Sequence, residues 1–130
     1  MPDYTERYKM STRAIFTFID DNGAFHVYKH WDGYPTEAIE AIRRAMKFAW
    51  DLPRFEADDF AAAFVAANKK VGGGDIRLIH NMNGDWAYHY YVRLRESDDC
   101  FPAMLHVEAH DRACSAFISE FWLESETATA

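Results

Sequence analysis

The segment from Trp86 to Arg95 alternates, residue by residue, between two kinds of side chain. The apolar and aromatic set is Trp86, Tyr88, Tyr90, Val92 and Leu94. The other set is Ala87, His89, Tyr91, Arg93 and Arg95. This period of two predicts a β-strand, because successive side chains of a strand point to opposite faces of the sheet. The chain must therefore build a sheet with one face on a core and one polar face.

Four further segments have the β-branched and aromatic residues or the alternation typical of strands. They are Arg13–Ile19, Ala24–Trp31, Asp75–His80 and Ala103–Ala109. Asn22-Gly23 joins the first two, and this dipeptide favours a tight hairpin. A second Asn-Gly pair at residues 83 and 84 predicts that the later strands form a meander. The segment Arg112–Trp122 is ambiguous between a short strand and a helical turn.

Two helices are predicted between these strands. In the first, from about Thr36 to Trp50, apolar residues recur at three- and four-residue steps. The second begins near Ala57, buries Phe60 and Phe64, and stops at residues 72–74, which are all glycine. The order β-β-α-α-β-β-β predicts one α+β domain over residues 1–130. We expect an antiparallel sheet of about five strands with two helices packed on one face, and flexible ends near 1–11 and 124–130.

The run YKHWDGYPTEA, from Tyr28 to Ala38, concentrates aromatic and turn-forming residues before the first helix. Asp-Gly favours a turn, and Pro35 suits the first turn of a helix. The run is therefore interpreted mainly as a corner of the chain. The run also contains candidates for binding a partner, namely Trp31, Asp32 and Tyr34.

Charge and cysteine content restrict the function classes. The chain carries 21 acidic and 14 basic residues, a formal net charge of −7. This balance disfavours direct binding of nucleic acid. The acids form separated pairs (Asp20-Asp21, Asp58-Asp59, Asp98-Asp99), which favours ordinary solubility over mimicry of nucleic acid.

The same sequence predicts a cytoplasmic protein. No apolar run reaches the length of a membrane span, and the N-terminal segment lacks the apolar stretch of a secretion signal. Cys100 and Cys114 lack a Cys-x-x-Cys spacing, so we expect reduced thiols rather than a zinc or redox motif.

The polar face of the predicted sheet is the main candidate surface. His89, Tyr91, Arg93 and Arg95 would lie on it beside Met104, His106, Glu108 and His110. Histidine, tyrosine, arginine and methionine are common in binding surfaces, whereas the simpler interpretation is a solvated polar face.

His106, Glu108 and His110 offer an alternative, a metal site. Alternate residues of a strand share a face, so two imidazoles and a carboxylate would converge in a set suited to zinc or iron. The sequence contains no nucleophile elbow, phosphate-binding loop or dinucleotide fingerprint, so we expect neither an enzyme nor a cofactor as the leading interpretation.

The stretches FTFIDDNGAFHVYKHWDGYP and AWDLPRFEADDFAAAFVAANKKVGGGDIRL resemble small uncharacterised proteins of bacteriophages, prophages and other mobile elements. The similarity spans most of Arg13 to Ala109. It implies a bacterial, phage-related context and carries over no catalytic residue. Small acidic phage proteins without a catalytic motif are often inhibitors of host machinery, anti-CRISPR proteins among them.

The leading hypothesis is thus a non-enzymatic phage-type protein that inhibits a host defence complex, such as a CRISPR effector, or another nucleic-acid-handling complex by binding it. One alternative is a metal-binding protein or metal-dependent enzyme that uses His106, Glu108 and His110. Another is a phage structural or assembly protein that works as a homo-oligomer, a homodimer for example, through Trp31 and Tyr34.

Overall fold

The computed structural model describes residues 12–71, 75–82, 84–95, 103–112 and 116–124. The strands are β1 (Ala14–Asp20), β2 (Gly23–Lys29), β3 (Ile76–Ile79), β4 (Tyr88–Arg95), β5 (Met104–Asp111) and β6 (Ala116–Leu123). The helices are α1 (Pro35–Met46) and α2 (Ala57–Lys70). The predicted flexible ends near 1–11 and 124–130 lie outside the described residues except for Glu124, and Cys100 and Cys114 lie outside them too.

The predicted α+β class and the order β-β-α-α-β-β-β are confirmed, with one more strand at the end. The six strands form one mixed sheet in the order β3-β2-β1-β4-β5-β6. The expectation of a wholly antiparallel sheet is wrong, because β4 runs parallel to β1.

The parallel pair has a topological cause. In the hairpin, β2 pairs with one edge of β1. After the two helices, β3 pairs with the other edge of β2. The remaining side of β1 then receives β4. The strands on either side of the second Asn-Gly pair are therefore not neighbours, and the predicted meander holds only from β4 onward.

The ambiguous segment near the C-terminus is the edge strand β6, antiparallel to β5. A register shift lies opposite Ala109 and His110, so His110 pairs with Phe117 while Ala109 pairs with Ser119. Phe117 and Ile118 are both exposed as a result. A bulge of this kind interrupts the period of two, which explains why the sequence pattern was ambiguous.

The core lies between the sheet and the two helices. The ring of Phe16 lies 4.6 Å from that of Phe64 in α2 and 5.0 Å from that of Tyr90 in β4. Phe18 packs at 5.3 Å against both Phe60 and Phe64. Buried aromatic rings of this size supply much of the apolar area that the fold removes from water.

A buried amide joins the two helices. Asn68 of α2 is fully buried and donates from Nδ2 to the carbonyl oxygens of Ala41 (3.1 Å) and Phe64 (2.9 Å). Its Oδ1 accepts from Arg44 Nη1 at 3.1 Å. The amide thus has partners for both of its ends, as a buried polar group requires.

Helix α1 is shorter than predicted, since it ends at Met46 rather than near Trp50. Phe48 and Trp50 follow it with exposed side chains. Val71, which follows α2, is also exposed. Within the described residues, neither helix is long and apolar enough to span a membrane.

The run from Tyr28 to Ala38 turns the chain from β2 into α1, as predicted. Gly33 is buried there, and its N–H donates to the Thr12 carbonyl oxygen at 2.8 Å. A β-carbon at Gly33 would lie 2.6 Å from that same oxygen, so the corner requires glycine. The ammonium of Lys29, whose pKa burial lowers, donates to the Trp31 carbonyl oxygen.

We predict that Tyr90→Phe destabilises the fold by about 1–3 kcal/mol, because its hydroxyl donates a 2.6 Å hydrogen bond to the buried Gly33 carbonyl oxygen. Urea unfolding measures the effect. Tyr91→Phe is the matched control, since among the described residues no hydrogen bond involves its hydroxyl. Equal losses in the two variants would contradict this role of the Tyr90 hydroxyl.

Candidate functional site

The sheet face turned away from the helices carries the residues singled out on the polar face. The register pairs His89 with His110, Tyr91 with Glu108, Arg93 with His106, and Arg95 with Met104. Thr17 and His26 lie on the same face, in the row of Tyr91. These residues are termed the histidine face.

The centre of the histidine face is one hydroxyl between two imidazoles. Thr17 Oγ1 lies 2.8 Å from His26 Nδ1 and 2.7 Å from His89 Nε2. A hydroxyl has one proton, so it donates to one ring and accepts from the other. Thr17 and His26 were missed in the sequence; the parity of the predicted β1–β2 hairpin was the signal that could have placed them there.

His89 is held in its neutral form. Burial, then the neighbouring His26 and His110, lowers its pKa from 6.5 to about 4. The Tyr91 ring stacks on it at 4.1 Å. Because a charged imidazole would have to be desolvated there, the site favours the uncharged ring.

Strand β5 brings His106, Glu108 and His110 onto one face, but each is engaged within the protein. His110 Nε2 lies 3.3 Å from Glu108 Oε2, and His106 Nε2 lies 2.7 Å from Glu120 Oε2. Arg95 Nε donates to His106 Nδ1 at 3.3 Å, which leaves Nε2 to donate to Glu120. In the part of the chain that the structure describes, no three His, Cys, Asp or Glu residues are arranged to hold a metal ion.

The other predicted binding residues lie in two places, Arg93 and Arg95 on the histidine face and the rest in the corner. Arg93 has a buried Nε that finds no hydrogen-bond partner within the described residues, and Arg95 is exposed. Trp31, Asp32 and Tyr34 lie half-buried in the corner. No hydrogen bond or ring contact between described residues joins this corner trio to the histidine face.

A second surface lies at the end of the sheet where β1 turns into β2. It is a cleft of about 510 Å³ between that turn, the connection from α1 to α2, and the start of α2. Its lining residues are Asp20, Asn22, Phe25, Trp50, Arg54, Glu56, Asp58 and Asp59. This surface, termed the acidic cleft, thus combines four carboxylates with two aromatic rings and one guanidinium among the described residues.

Asp20 holds the acidic cleft together. Its Oδ1 accepts from the N–H groups of Asn22 (2.8 Å) and Gly23 (3.1 Å), and its Oδ2 accepts from the N–H of Ala57 at the start of α2 (2.7 Å). These bonds, that from Ala57 foremost, lower the pKa of Asp20. The Glu56 side chain makes no capping bond, so Asp20 caps this helix from 37 residues away.

The aromatic rings of the acidic cleft are open to solvent. Phe25 is 42% exposed and Trp50 is 53% exposed. The Arg54 guanidinium lies 3.9 Å above the centre of the Trp50 ring and 3.4 Å from Glu56 Oε1. Sequence reasoning missed this surface, because it placed Trp50 inside a helix and treated the acidic pairs as scattered.

No family model, curated protein or solved structure matches this chain. Function is therefore inferred from its two surfaces. The polar groups of the histidine face largely bond to one another. The acidic cleft instead leaves Glu56 and Asp58 exposed beside two exposed aromatic rings, and aromatic residues are enriched in binding surfaces.

We predict that stability falls as pH decreases from about 6.5 to about 4, because the unfolded chain then binds a proton that folded His89 does not. The shift in the pKa of His89 corresponds to about 3 kcal/mol in the free energy of unfolding. This contribution to stability is fully present above pH 6.5 and is lost as the pH falls toward 4. Urea unfolding across this range measures it.

In His89→Gln the pH dependence should be shallower, since the titrating group is gone while an amide can still bond to Thr17. The control is His80→Gln, which changes an exposed histidine next to β3. Parallel losses of stability in wild type and His89→Gln would exclude His89 as the source.

Proposed function

We propose that this chain is a non-enzymatic interaction protein of the anti-CRISPR type, which docks its acidic cleft on a basic surface of a host defence or other nucleic-acid-handling complex and inhibits it. The observation that carries the proposal is the joint lining of one cleft by four carboxylates and the exposed rings of Phe25 and Trp50.

The acidic cleft has the two components that protein recognition uses. Its carboxylates would steer a positively charged surface toward it and set the orientation of docking. The exposed rings can be covered on binding, and aromatic anchors provide much of the affinity of protein interfaces. Their combination favours a basic protein surface over a free cation, which would need no apolar contact.

The class of partner follows from its charge. Complexes that hold DNA or RNA present arginine and lysine to phosphate groups, and a carboxylate cluster can compete for the same side chains. The net charge of −7 disfavours direct binding of nucleic acid, so the protein would act on the complex itself. The resemblance to phage proteins points to a bacterial defence complex as the first partner to test.

We predict that Glu56→Gln combined with Asp58→Asn weakens binding to the partner about tenfold or more, because two charges that face it are removed. The measurement is affinity capture from a CRISPR-bearing bacterial lysate, followed by titration of the captured complex and a phage infection assay. Binding should weaken further as salt concentration rises.

The control is Glu37→Gln combined with Glu40→Gln, which removes two charges from α1 and none from the acidic cleft. It should bind and inhibit like wild type. Equal capture by both double variants, or the absence of any captured complex and of any effect on infection, would overturn the proposal.

A further inference from the structure

The guanidinium of Arg54 lies against the face of the Trp50 ring within this chain. The Arg54 N–H donates to the Asp51 carbonyl oxygen at 3.1 Å, and this turn brings the Arg54 side chain back over the ring at 3.9 Å. Its Nη2 donates to Glu56 Oε1 at 3.4 Å. The ring and the carboxylate together form a place for one guanidinium, termed the arginine seat.

Arg54 is held loosely in the arginine seat. Its side chain is 53% exposed and that of Glu56 is 49% exposed. Ion pairs and cation–π contacts at exposed positions contribute little to stability, because water competes for both partners. Exchange of Arg54 for another guanidinium would therefore cost the fold little.

We propose, on the basis of the function proposed above, that the arginine seat is the specificity element of the acidic cleft. An arginine of the partner displaces Arg54, stacks on Trp50 and pairs with Glu56. The geometry favours arginine over lysine because a planar guanidinium can stack on an indole and still donate sideways to a carboxylate. An ammonium is a more strongly hydrated point charge and loses more on leaving water.

Arg54 should therefore lower the apparent affinity of the acidic cleft for its partner. While it occupies the arginine seat, only a fraction of molecules is open to the partner, and the apparent affinity falls by that fraction. The released Arg54 also leaves Glu56 unpaired, so the incoming arginine restores the contact that was lost. Removal of Arg54 should favour arginine ligands beyond the general effect of deleting one positive charge.

The test uses the full chain and two peptides of equal length, one alternating Gly with Arg and one alternating Gly with Lys. Calorimetric titration at low salt gives the affinity of each. For wild type we expect the arginine peptide to bind about threefold or more tightly than the lysine peptide. Arg54→Gln should raise that ratio, whereas Lys47→Gln, which removes a positive charge at the end of α1 and none from the acidic cleft, should leave it unchanged.

Trp50→Leu should abolish the preference for arginine. Its control is Trp122→Leu, which replaces a similarly exposed indole (47%) on β6. A ratio that neither Arg54→Gln nor Trp50→Leu changes would overturn the arginine seat, while the acidic cleft would stand if binding of both peptides still fell in the Glu56→Gln, Asp58→Asn variant. If neither peptide bound and no complex was captured, both proposals would be wrong.

Discussion

The position of β1 between β2 and β4 is the constraint on which the rest of the structure depends. One of its faces sends Phe16 and Phe18 into the core against α2, and the other sends Thr17 between two histidines. Its last residue, Asp20, caps α2 and lines the acidic cleft. A single strand thus contributes to the core, to the histidine face and to the acidic cleft.

Local patterns predicted the elements that have a strong period. Each of the two elements β4 and α2 has one face packed on the core, and this produces a regular sequence pattern. The alternation in β4 and the spacing of Phe60 and Phe64 therefore predicted both elements correctly. The bulge removed that signal in β6. The parallel pairing of β1 with β4 has no local signal, since it follows from which sheet positions the earlier strands have already filled.

Sequence patterns predicted the histidine face but missed the acidic cleft. The residues of the histidine face belong to neighbouring strands, so parity alone placed His89, Tyr91, His106 and Glu108 together. The acidic cleft joins the end of β1 to the start of α2, whose acids are separate pairs in the sequence. The bond from Ala57 to Asp20 and the packing of Phe18 on Phe60 bring them together, and both contacts are tertiary.

The parallel pair of β1 and β4 also bears on how the chain folds as it is made. Thr17 contacts His89 across 72 residues of sequence. The pairing of β1 with β4 is therefore a long-range contact that forms late in folding. At about 5–20 residues per second, a ribosome needs several seconds to supply that stretch. Until β4 arrives, one edge of β1 lacks its strand partner and the Tyr90 ring is missing from beside Phe16. During that interval the nascent hairpin and helices form an incomplete domain, and its open edge is a site for chaperones or for misassembly with a neighbouring chain.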